Sequence, residues 1–436
     1  MRRQAMQVLM DWKRRSDRKP LLIRGARQVG KTWLMKEFGK TEYQKCAYIN
    51  FDSNDRMQRL FGGDLDIARI ITGLQIEADC VIEPDNTLVI FDEVQECPKA
   101  VASLKYFCEN APQYHVVAAG SLLGVALHSG TSFPVGKVEF LDIYPLSFSE
   151  FLRALDRDDL LKLINDQEYE LVKAFKDRYI DLLRQYYFIG GMPEAVSAFS
   201  QNQDFSLVRE IQNRIIGAFE QDFSKHVPVN TVARLRLLWN SIPSQLAKEN
   251  RKFIYGLIRQ GARAKEYELA LTWLCDCGLV YKVSRINKPS LPLKAYEDLH
   301  AFKLFVLDVG LLGAMGGLDK KALLGGSAIF EEFKGALTEQ FVLQQFKAIG
   351  GLPVFYWSAE AGEAEVDFVI QVDGNAVPIE VKAEQNLQAK SLKSYYKKYA
   401  PEFSIRTSMS DFRIDHWLTN IPLYMIGSIK DIIQQI

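Results

Sequence analysis

The chain has 436 residues, of which 48% are hydrophobic and 25% are charged, the balance of a folded protein of about three domains rather than a disordered one. Basic and acidic residues each number 54, so the zero net charge excludes a uniformly basic nucleic-acid coat. The longest stretch of apolar or small residues, 116–127, is too short to span a bilayer, and we expect a cytoplasmic protein without a membrane partner.

Residues 1–144 alternate between apolar runs and helical stretches, after a short basic helix at the N-terminus. The apolar runs have the length of strands buried in a parallel sheet. The alternation therefore predicts an α/β core with a parallel sheet. The predicted strands of this core are Leu21–Ile23, Ala47–Phe51, Thr87–Phe91 and His115–Ala119.

Residues 25–32 fit the pattern G-x-x-x-x-G-K-[ST] of a phosphate-binding loop, between a predicted strand and a predicted helix. Its glycines let backbone N–H groups turn toward phosphate oxygens, and the helix adds the positive end of its dipole. Lys31 is expected to reach the β- and γ-phosphates of ATP, and the Thr32 hydroxyl to bind Mg²⁺. The predicted nucleotide-binding residues are Gly25, Ala26, Arg27, Gln28, Val29, Gly30, Lys31, Thr32 and Trp33.

Two carboxylates, Asp92 and Glu93, follow the third predicted strand. Open α/β sheets bind ligands at the carboxyl ends of their strands, so Asp92 is predicted to hold Mg²⁺ through water. Glu93 is then placed to polarise the attacking water. Ser121, after the fourth strand, is a candidate for contacting the γ-phosphate or that water, with a helix N-cap as the alternative. For Arg27 a contact with nucleotide or a partner domain and a solvated loop position both stay open.

The middle of the chain has a different pattern. Residues 145–227 show helical periodicity without a strong strand run, which predicts an all-helical lid with a turn at residues 190–193. Residues 228–324 follow the order helix, helix, strand, turn, strand, which is typical of a winged helix. Within residues 248–294, ten lysines and arginines face four acidic residues. This excess predicts contact with DNA phosphates, and the alternatives are a protein-binding winged helix or a solvated face.

Residues 325–436 are predicted to form the last domain, and its polar strand residues form the pattern D-x₁₂-E-x-K. Glu380 and Lys382 lie two residues apart on one strand, so their side chains share a face. A hairpin that turns at Asp373-Gly374 would bring Asp367 to that face. The two carboxylates could then hold Mg²⁺ while Lys382 activates a water for phosphodiester attack.

Two further predictions concern the same domain. Glu339, on the preceding helix, is a candidate additional metal ligand, and Leu423–Ile426 is predicted as the last strand. The alternative for the whole cluster is a half-exposed strand that shows polar residues to water.

In combination, these motifs resemble those of AAA-type P-loop ATPases of bacteria and archaea that carry a DUF4143 C-terminal region. The resemblance covers nearly the whole chain and implies an AAA-type ATPase core, a winged-helix region and a domain similar to PD-(D/E)xK restriction endonucleases. Lys137 departs from the family pattern, which has arginine there. The matching residues are 25–32, 92–95, 120–121, 144–148, 190–194, 333–335, Glu339, 365–368 and 380–382.

The sequence therefore favours a Mg²⁺-dependent, ATP-hydrolysing molecular switch that couples its nucleotide state to a winged-helix and nuclease-like module acting on DNA. The DNA partner is predicted for residues 248–294 and the C-terminal domain. The alternative is a nucleotide-gated interaction protein, or a STAND-like signalling ATPase, whose C-terminal domain binds without catalysis. A homo-oligomer is compatible with both.

Overall fold

The computed structural model describes residues 2–120, 133–227, 229–248, 252–321, 331–359, 364–383 and 388–435. The chain divides into two compact units. The N-terminal unit comprises Arg2–Tyr144 together with Asp276–Leu279, and the C-terminal unit comprises Pro145–Cys275 and Val280–Ile436. The predicted division of the chain into four domains stays a prediction.

A five-stranded parallel sheet forms the centre of the N-terminal unit, which confirms the predicted α/β core. The strand order is β2-β3-β4-β1-β5. Because β4 lies between β1 and β3, the carboxyl end of β4 separates the loop after β1 from the carboxylates after β3. The strands are β1 (Leu21–Arg24), β2 (Lys45–Asn50), β3 (Thr87–Asp92), β4 (His115–Ala119) and β5 (Glu139–Asp142).

Strand β5 was not predicted, because it has only four residues and is half-buried at the edge of the sheet. Strand β3, by contrast, is buried over its whole length, and Phe91 on it packs edge-to-face against Phe51, Phe61 and Phe107. The helices of this unit are α1 (Ala5–Arg14), α2 (Lys31–Glu42), α3 (Asp55–Gly62), α4 (Ile67–Ala78) and α5 (Pro98–Asn110).

The C-terminal unit begins with helices, as the periodicity of residues 145–227 predicts. The first of them starts with a capping box, in which Ser147 and Glu150 exchange hydrogen bonds with each other's backbone. The helices over these residues are α6 (Phe148–Ala154), α7 (Asp158–Asn165), α8 (Tyr169–Ala174), α9 (Lys176–Ile189), α10 (Pro193–Asn202) and α11 (Phe205–His226). The later helices are α12 (Val229–Leu246), α13 (Ala264–Asp276), α14 (Val309–Met315), α15 (Glu331–Ile349), α16 (Lys390–Tyr399) and α17 (Ile429–Ile433).

A mixed eight-stranded sheet forms the rest of this unit, with the order β12-β13-β11-β10-β9-β8-β6-β7. The antiparallel pair β6–β7 follows α13, and β6 also pairs with β8 and so joins the C-terminal strands in one sheet. The winged helix stays a prediction. The strands are β6 (Val280–Ile286), β7 (Glu297–Val306), β8 (Val354–Ser358), β9 (Glu365–Val372), β10 (Asn375–Val381), β11 (Ile405–Ser408), β12 (Arg413–Ile414) and β13 (Thr419–Pro422).

The last predicted strand is wrong. Leu423–Ile426 lies in a 3₁₀ helix, Leu423–Ser428, and the strand that pairs with β11 ends before it at Pro422. Both structures bury a short apolar run, so periodicity does not separate them, and the proline closes the strand. Within the described ranges, no helix has both the length and the apolar character needed to cross a membrane.

A buried carboxylate, Asp308, connects three elements of the C-terminal unit. Its oxygens accept hydrogen bonds from the backbone N–H groups of Gly191 (2.6 Å) and Leu311 (3.0 Å) and from the Gln344 side chain (2.9 Å). Gly190 has φ +72°, and a Cβ atom there would lie 2.1 Å from Asp308 Oδ1. At the predicted turn of residues 190–193, the end of α9 therefore packs against the N-terminus of α14.

Candidate functional site

The predicted phosphate loop joins β1 to α2. Gly25, Gln28 and Gly30 have positive φ angles, and a Cβ atom on Gly25 would lie 2.2 Å from the Ile143 carbonyl oxygen. These left-handed turns wrap the backbone around the N-terminus of α2, which begins at Lys31. Such an arrangement directs backbone N–H groups and the helix dipole toward an anion.

Lys31 lies inside this loop and is only 6% exposed. Its Nζ atom donates hydrogen bonds to the carbonyl oxygens of Gly25 (2.8 Å) and Ala26 (2.7 Å). Burial lowers the pKa of Lys31 to about 8, against the opposing effect of Glu93 and Asp92. A buried ammonium of this kind is stabilised by an anionic partner, which is what a nucleotide phosphate would supply.

Arg3 connects this loop to the end of the core. Its guanidinium donates to the carbonyl oxygens of Val29 (2.9 Å) and Tyr144 (2.7 Å), and the residue is 9% exposed. The sequence predicted only a basic helix at the N-terminus. Seven basic residues lie within the first nineteen, and nothing in their spacing singles out the one that reaches the loop.

Asp92, at the carboxyl end of β3, is the centre of a hydrogen-bond network. Its Oδ2 atom accepts from the Thr32 hydroxyl (2.7 Å) and the Tyr48 hydroxyl (2.9 Å), and its Oδ1 atom accepts from the Glu93 N–H (3.1 Å). Thr32 and Asp92 therefore present oxygen atoms side by side, and hard oxygen donors of this kind suit Mg²⁺.

Sequence reasoning missed Tyr48, because a tyrosine in an apolar run is an ordinary strand residue. Tyr48 lies on β2, next to β3 in the sheet, so its hydroxyl reaches Asp92 from the neighbouring strand. Burial raises the pKa of Tyr48, and so does its hydrogen bond to Asp92. The tyrosine thus stays a hydrogen-bond donor that orients this carboxylate.

Glu93 is half-buried and has a left-handed backbone, with φ +51°. This conformation is uncommon outside glycine, asparagine and aspartate, and it turns the chain sharply directly after Asp92. The Gln95 side-chain amide donates to Glu93 Oε2 (2.6 Å), which holds the carboxylate in a defined orientation. A positioned carboxylate beside a metal-binding aspartate is suited to orient water.

The other predicted residues of the phosphate-loop site differ in their exposure and contacts. Trp33 is 42% exposed, Arg27 is half-buried, and Ser121 lies outside the described residues. Lys137, where the family pattern has arginine, forms an ion pair with Glu109 (2.8 Å).

The hairpin β9–β10 brings the C-terminal candidates together. It turns at Asp373-Gly374, both with positive φ, as predicted. Phe368 pairs with Ile379, so the next positions, Asp367 and Glu380, lie opposite each other. Asp367 Oδ2 accepts from the Val381 N–H (2.7 Å), and Lys382 Nζ lies 2.7 Å from Glu380 Oε1.

Burial and nearby charged groups, among them Lys303, alter the pKa of Glu380 in this hairpin. Burial, and after it the charge of Asp367, raises the pKa of Glu380 to about 7, while Lys382 and Lys303 oppose this increase. Lys303, on β7, is fully buried, with Nζ 3.6 Å from Glu339 Oε2 and 2.5 Å from Glu365 Oε1. Sequence reasoning missed Lys303, because its strand was not delimited and a lone lysine in an apolar run carries no motif.

Among the described residues, no group of three or more histidine, cysteine, aspartate or glutamate side chains is placed to hold a metal ion. For the phosphate-loop site, Asp92 and the Thr32 hydroxyl come together, so further ligands of a Mg²⁺ ion there would be phosphate and water. For the C-terminal site, Glu339 and Glu365 lie near Lys303 and Glu380 lies near Lys382, while Asp367 accepts from the Val381 N–H. The metal-binding roles of Asp367, Glu380 and Glu339 stay predictions.

Most basic residues of the 248–294 region point to solvent. Arg285 is an exception, because it pairs with Asp298 (2.6 Å), and Arg259 lies 3.9 Å from Glu266. The exposed apolar residues Ile254 and Leu269 lie among them. The described basic residues that are exposed are Lys248, Lys252, Arg259, Arg263, Lys265, Lys282, Lys288 and Lys294.

Three family models match separate parts of the chain. Residues 17–152 match an AAA domain, residues 180–322 a domain of unknown function (DUF8612) and residues 334–426 a domain of unknown function (DUF4143). The predicted AAA domain and DUF4143 region are therefore confirmed. The DUF8612 match runs across the predicted boundary between the lid and the winged helix.

No curated protein matches the chain. Among solved structures, it is similar to the Orc1 protein of Aeropyrum pernix in complex with DNA, with 13% identity and a TM-score of 0.26. The similarity covers 72% of this chain and 90% of that one. At this TM-score, no conclusion about DNA follows for this chain.

Proposed function

We propose that this chain is a Mg²⁺-dependent ATPase that works as a molecular switch. The observation that carries the proposal is the hydrogen bond from the Thr32 hydroxyl to the Asp92 carboxylate (2.7 Å). The same site contains the buried Lys31 and the Glu93 carboxylate, which Gln95 orients. The match of residues 17–152 to an AAA domain supports it independently.

The roles follow from the chemistry of each group. The backbone N–H groups of the loop and Lys31 bind the phosphates, and Thr32 and Asp92 would hold Mg²⁺, which would neutralise phosphate charge. Glu93 accepts a proton from the attacking water, and Gln95 keeps its carboxylate in place. Ser121 stays a predicted contact of the γ-phosphate or that water.

The variant Glu93→Gln tests the assignment. It removes the proton acceptor but keeps size and hydrogen bonding, so we expect steady-state ATP hydrolysis to fall about 100-fold or more. ATP binding, measured with a fluorescent analogue, should stay within a few-fold of the native value. The matched control is Glu402→Gln, an exposed glutamate in the C-terminal unit, which should hydrolyse at the native rate. Native turnover in Glu93→Gln would refute the assignment.

We further propose that the exposed basic residues near the N-terminus of α13 bind DNA phosphates. Each phosphate neutralised releases counterions, so binding weakens as salt rises, with a slope of log K against log salt near −0.9 per contact.

A second candidate function is a nucleotide-gated interaction protein whose C-terminal domain does no chemistry. The ion pairs that Lys303 makes with Glu339 and Glu365 favour it.

The salt dependence of duplex binding separates these candidates. Arg259, Arg263 and Lys265 changed together to alanine should flatten the slope by roughly 2–3. The control changes three exposed lysines of the predicted lid instead, Lys162, Lys173 and Lys225, and should leave the slope unchanged. Equal effects of the two triple variants, or no duplex binding by the native chain, would reject DNA in favour of a protein partner.

A further inference from the structure

The buried acidic centre of the C-terminal unit contains its own cation. Lys303 has no exposed surface, and its Nζ atom lies between Glu339 Oε2 (3.6 Å) and Glu365 Oε1 (2.5 Å). The Tyr356 ring lies beside it, with its centroid 5.1 Å from Nζ. An ammonium group with no access to water is retained only when anions compensate for its lost hydration. The two glutamates therefore compensate the positive charge of Lys303, and Lys303 compensates their negative charges.

The remaining two carboxylates of the cluster also have partners from the chain. Glu380 is 5% exposed, and its Oε1 atom lies 2.7 Å from Lys382 Nζ. Asp367 Oδ2 receives the Val381 N–H at 2.7 Å. The partners of these carboxylates are thus two lysines and a backbone N–H, and among the described residues no three acidic side chains are placed to hold one metal ion.

This arrangement does not fit the Mg²⁺ site that the sequence predicted. A divalent ion needs several oxygen atoms converging at about 2.0–2.1 Å, and a charged ammonium beside them repels it. Glu339, the predicted additional ligand, faces Lys303 instead. To admit a metal ion beside Glu339, the chain would have to move the fully buried Lys303 ammonium away from it.

We infer that Lys303 takes the place of a metal ion in this centre, so that the C-terminal unit is a charge-compensated binding module that neither holds Mg²⁺ nor cleaves DNA. The inference does not depend on the proposed ATPase, because it concerns a different unit of the chain. The sequence left two roles open for the D-x₁₂-E-x-K pattern, a Mg²⁺-dependent nuclease and a domain that binds without catalysis. The inference favours the second.

The first test measures metal binding by the full-length protein without nucleotide, with Mn²⁺ as the probe. The native chain and Asp367→Asn should bind the same number of Mn²⁺ ions, and Mg²⁺ or Mn²⁺ should produce no nicking of supercoiled plasmid by either. One additional Mn²⁺ in the native chain, or nicking that Asp367→Asn abolishes, would overturn the inference. Neither readout involves ATP turnover, so failure here is distinct from failure of the ATPase proposal.

The second test removes the ammonium. Lys303→Met leaves the buried Glu339 and the half-buried Glu365 without their cation, and the melting temperature of the unit should fall by roughly 10 °C. Lys282→Met, an exposed lysine on the adjacent strand β6, is the matched control and should shift it by less than about 2 °C. Equal shifts in the two variants would refute the role of Lys303. If Lys303→Met does not fold, the first test still decides.

Discussion

At the scale of single residues, the phosphate loop shows why a short motif carries so much information. Positions 25, 30, 31 and 32 are specified by local requirements: backbone turns, a helix start, one cation and one hydroxyl. The surroundings of these residues include groups from distant parts of the chain. Asp92 accepts from the Thr32 hydroxyl, Arg3 donates to the Val29 carbonyl and Tyr48 donates to Asp92, and only folding shows these contacts.

Gly25 offers a test of this local requirement. Gly25→Ala would place a Cβ atom 2.2 Å from the Ile143 carbonyl oxygen, in a backbone with φ +145°. Strain and overpacking should then lower the free energy of unfolding by about 3 kcal/mol and weaken ATP binding. The matched control is Gly62→Ala, where no atom lies within 4 Å of the new Cβ, with an effect within about 0.5 kcal/mol. Urea unfolding of both variants measures the difference, and equal effects would contradict the argument.

At the scale of elements, the sequence predicted most helices and strands of the core because their burial is periodic or continuous. The elements it missed are short or lie at an edge. Strand β5 has four residues, each half-buried or exposed, and β7 lies at an edge of the eight-stranded sheet, where Lys303 interrupts the apolar run 301–306. Contacts between elements, such as the one Asp308 makes with the end of α9, leave no pattern in the sequence.

The buried Asp308 gives the prediction at this scale. Asp308→Ala removes the acceptor of two backbone N–H groups, those of Gly191 and Leu311, and leaves both buried without it. The free energy of unfolding of the C-terminal unit should fall by about 3–5 kcal/mol. The exposed N-cap Asp66, which accepts from Arg69 N–H, is the control, and Asp66→Ala should cost about 1 kcal/mol. A loss at Asp308 no larger than at Asp66 would show that the contact does not hold the elements together.

At the scale of the whole molecule, the N-terminal unit contains a buried titrating group. His115, at the start of β4, is 4% exposed and contacts the Tyr43 hydroxyl (2.7 Å) and Asp85 (3.3 Å). Burial and the nearby Arg18 lower the pKa of His115 to about 4, although Asp85 opposes them. The folded unit therefore excludes a proton that the unfolded chain binds below about pH 6.5.

The sign of the pH effect follows. A lowered pKa contributes stability above the unfolded value, and that stability is lost as the pH falls toward about 4. Between pH 7.5 and pH 5, the native chain should lose about 2 kcal/mol through this group, and His115→Gln should lose that much less. Hydrogen exchange of peptides from the parallel sheet measures it. The exposed His300→Gln is the control and should behave as the native chain. The same pH dependence in His115→Gln would rule out His115 as the cause.

The sequence by itself determined the α/β core, the place of the phosphate loop, the helical residues that follow residue 145 and the hairpin at Asp373-Gly374. These depend on local rules of periodicity, turn geometry and motif spacing. Only the tertiary structure decided that Tyr48 reaches Asp92, that β6 and β7 join the C-terminal sheet and that Lys303 enters the acidic centre. Those contacts join residues far apart in the chain, and a single sequence records the side chains but not their distances.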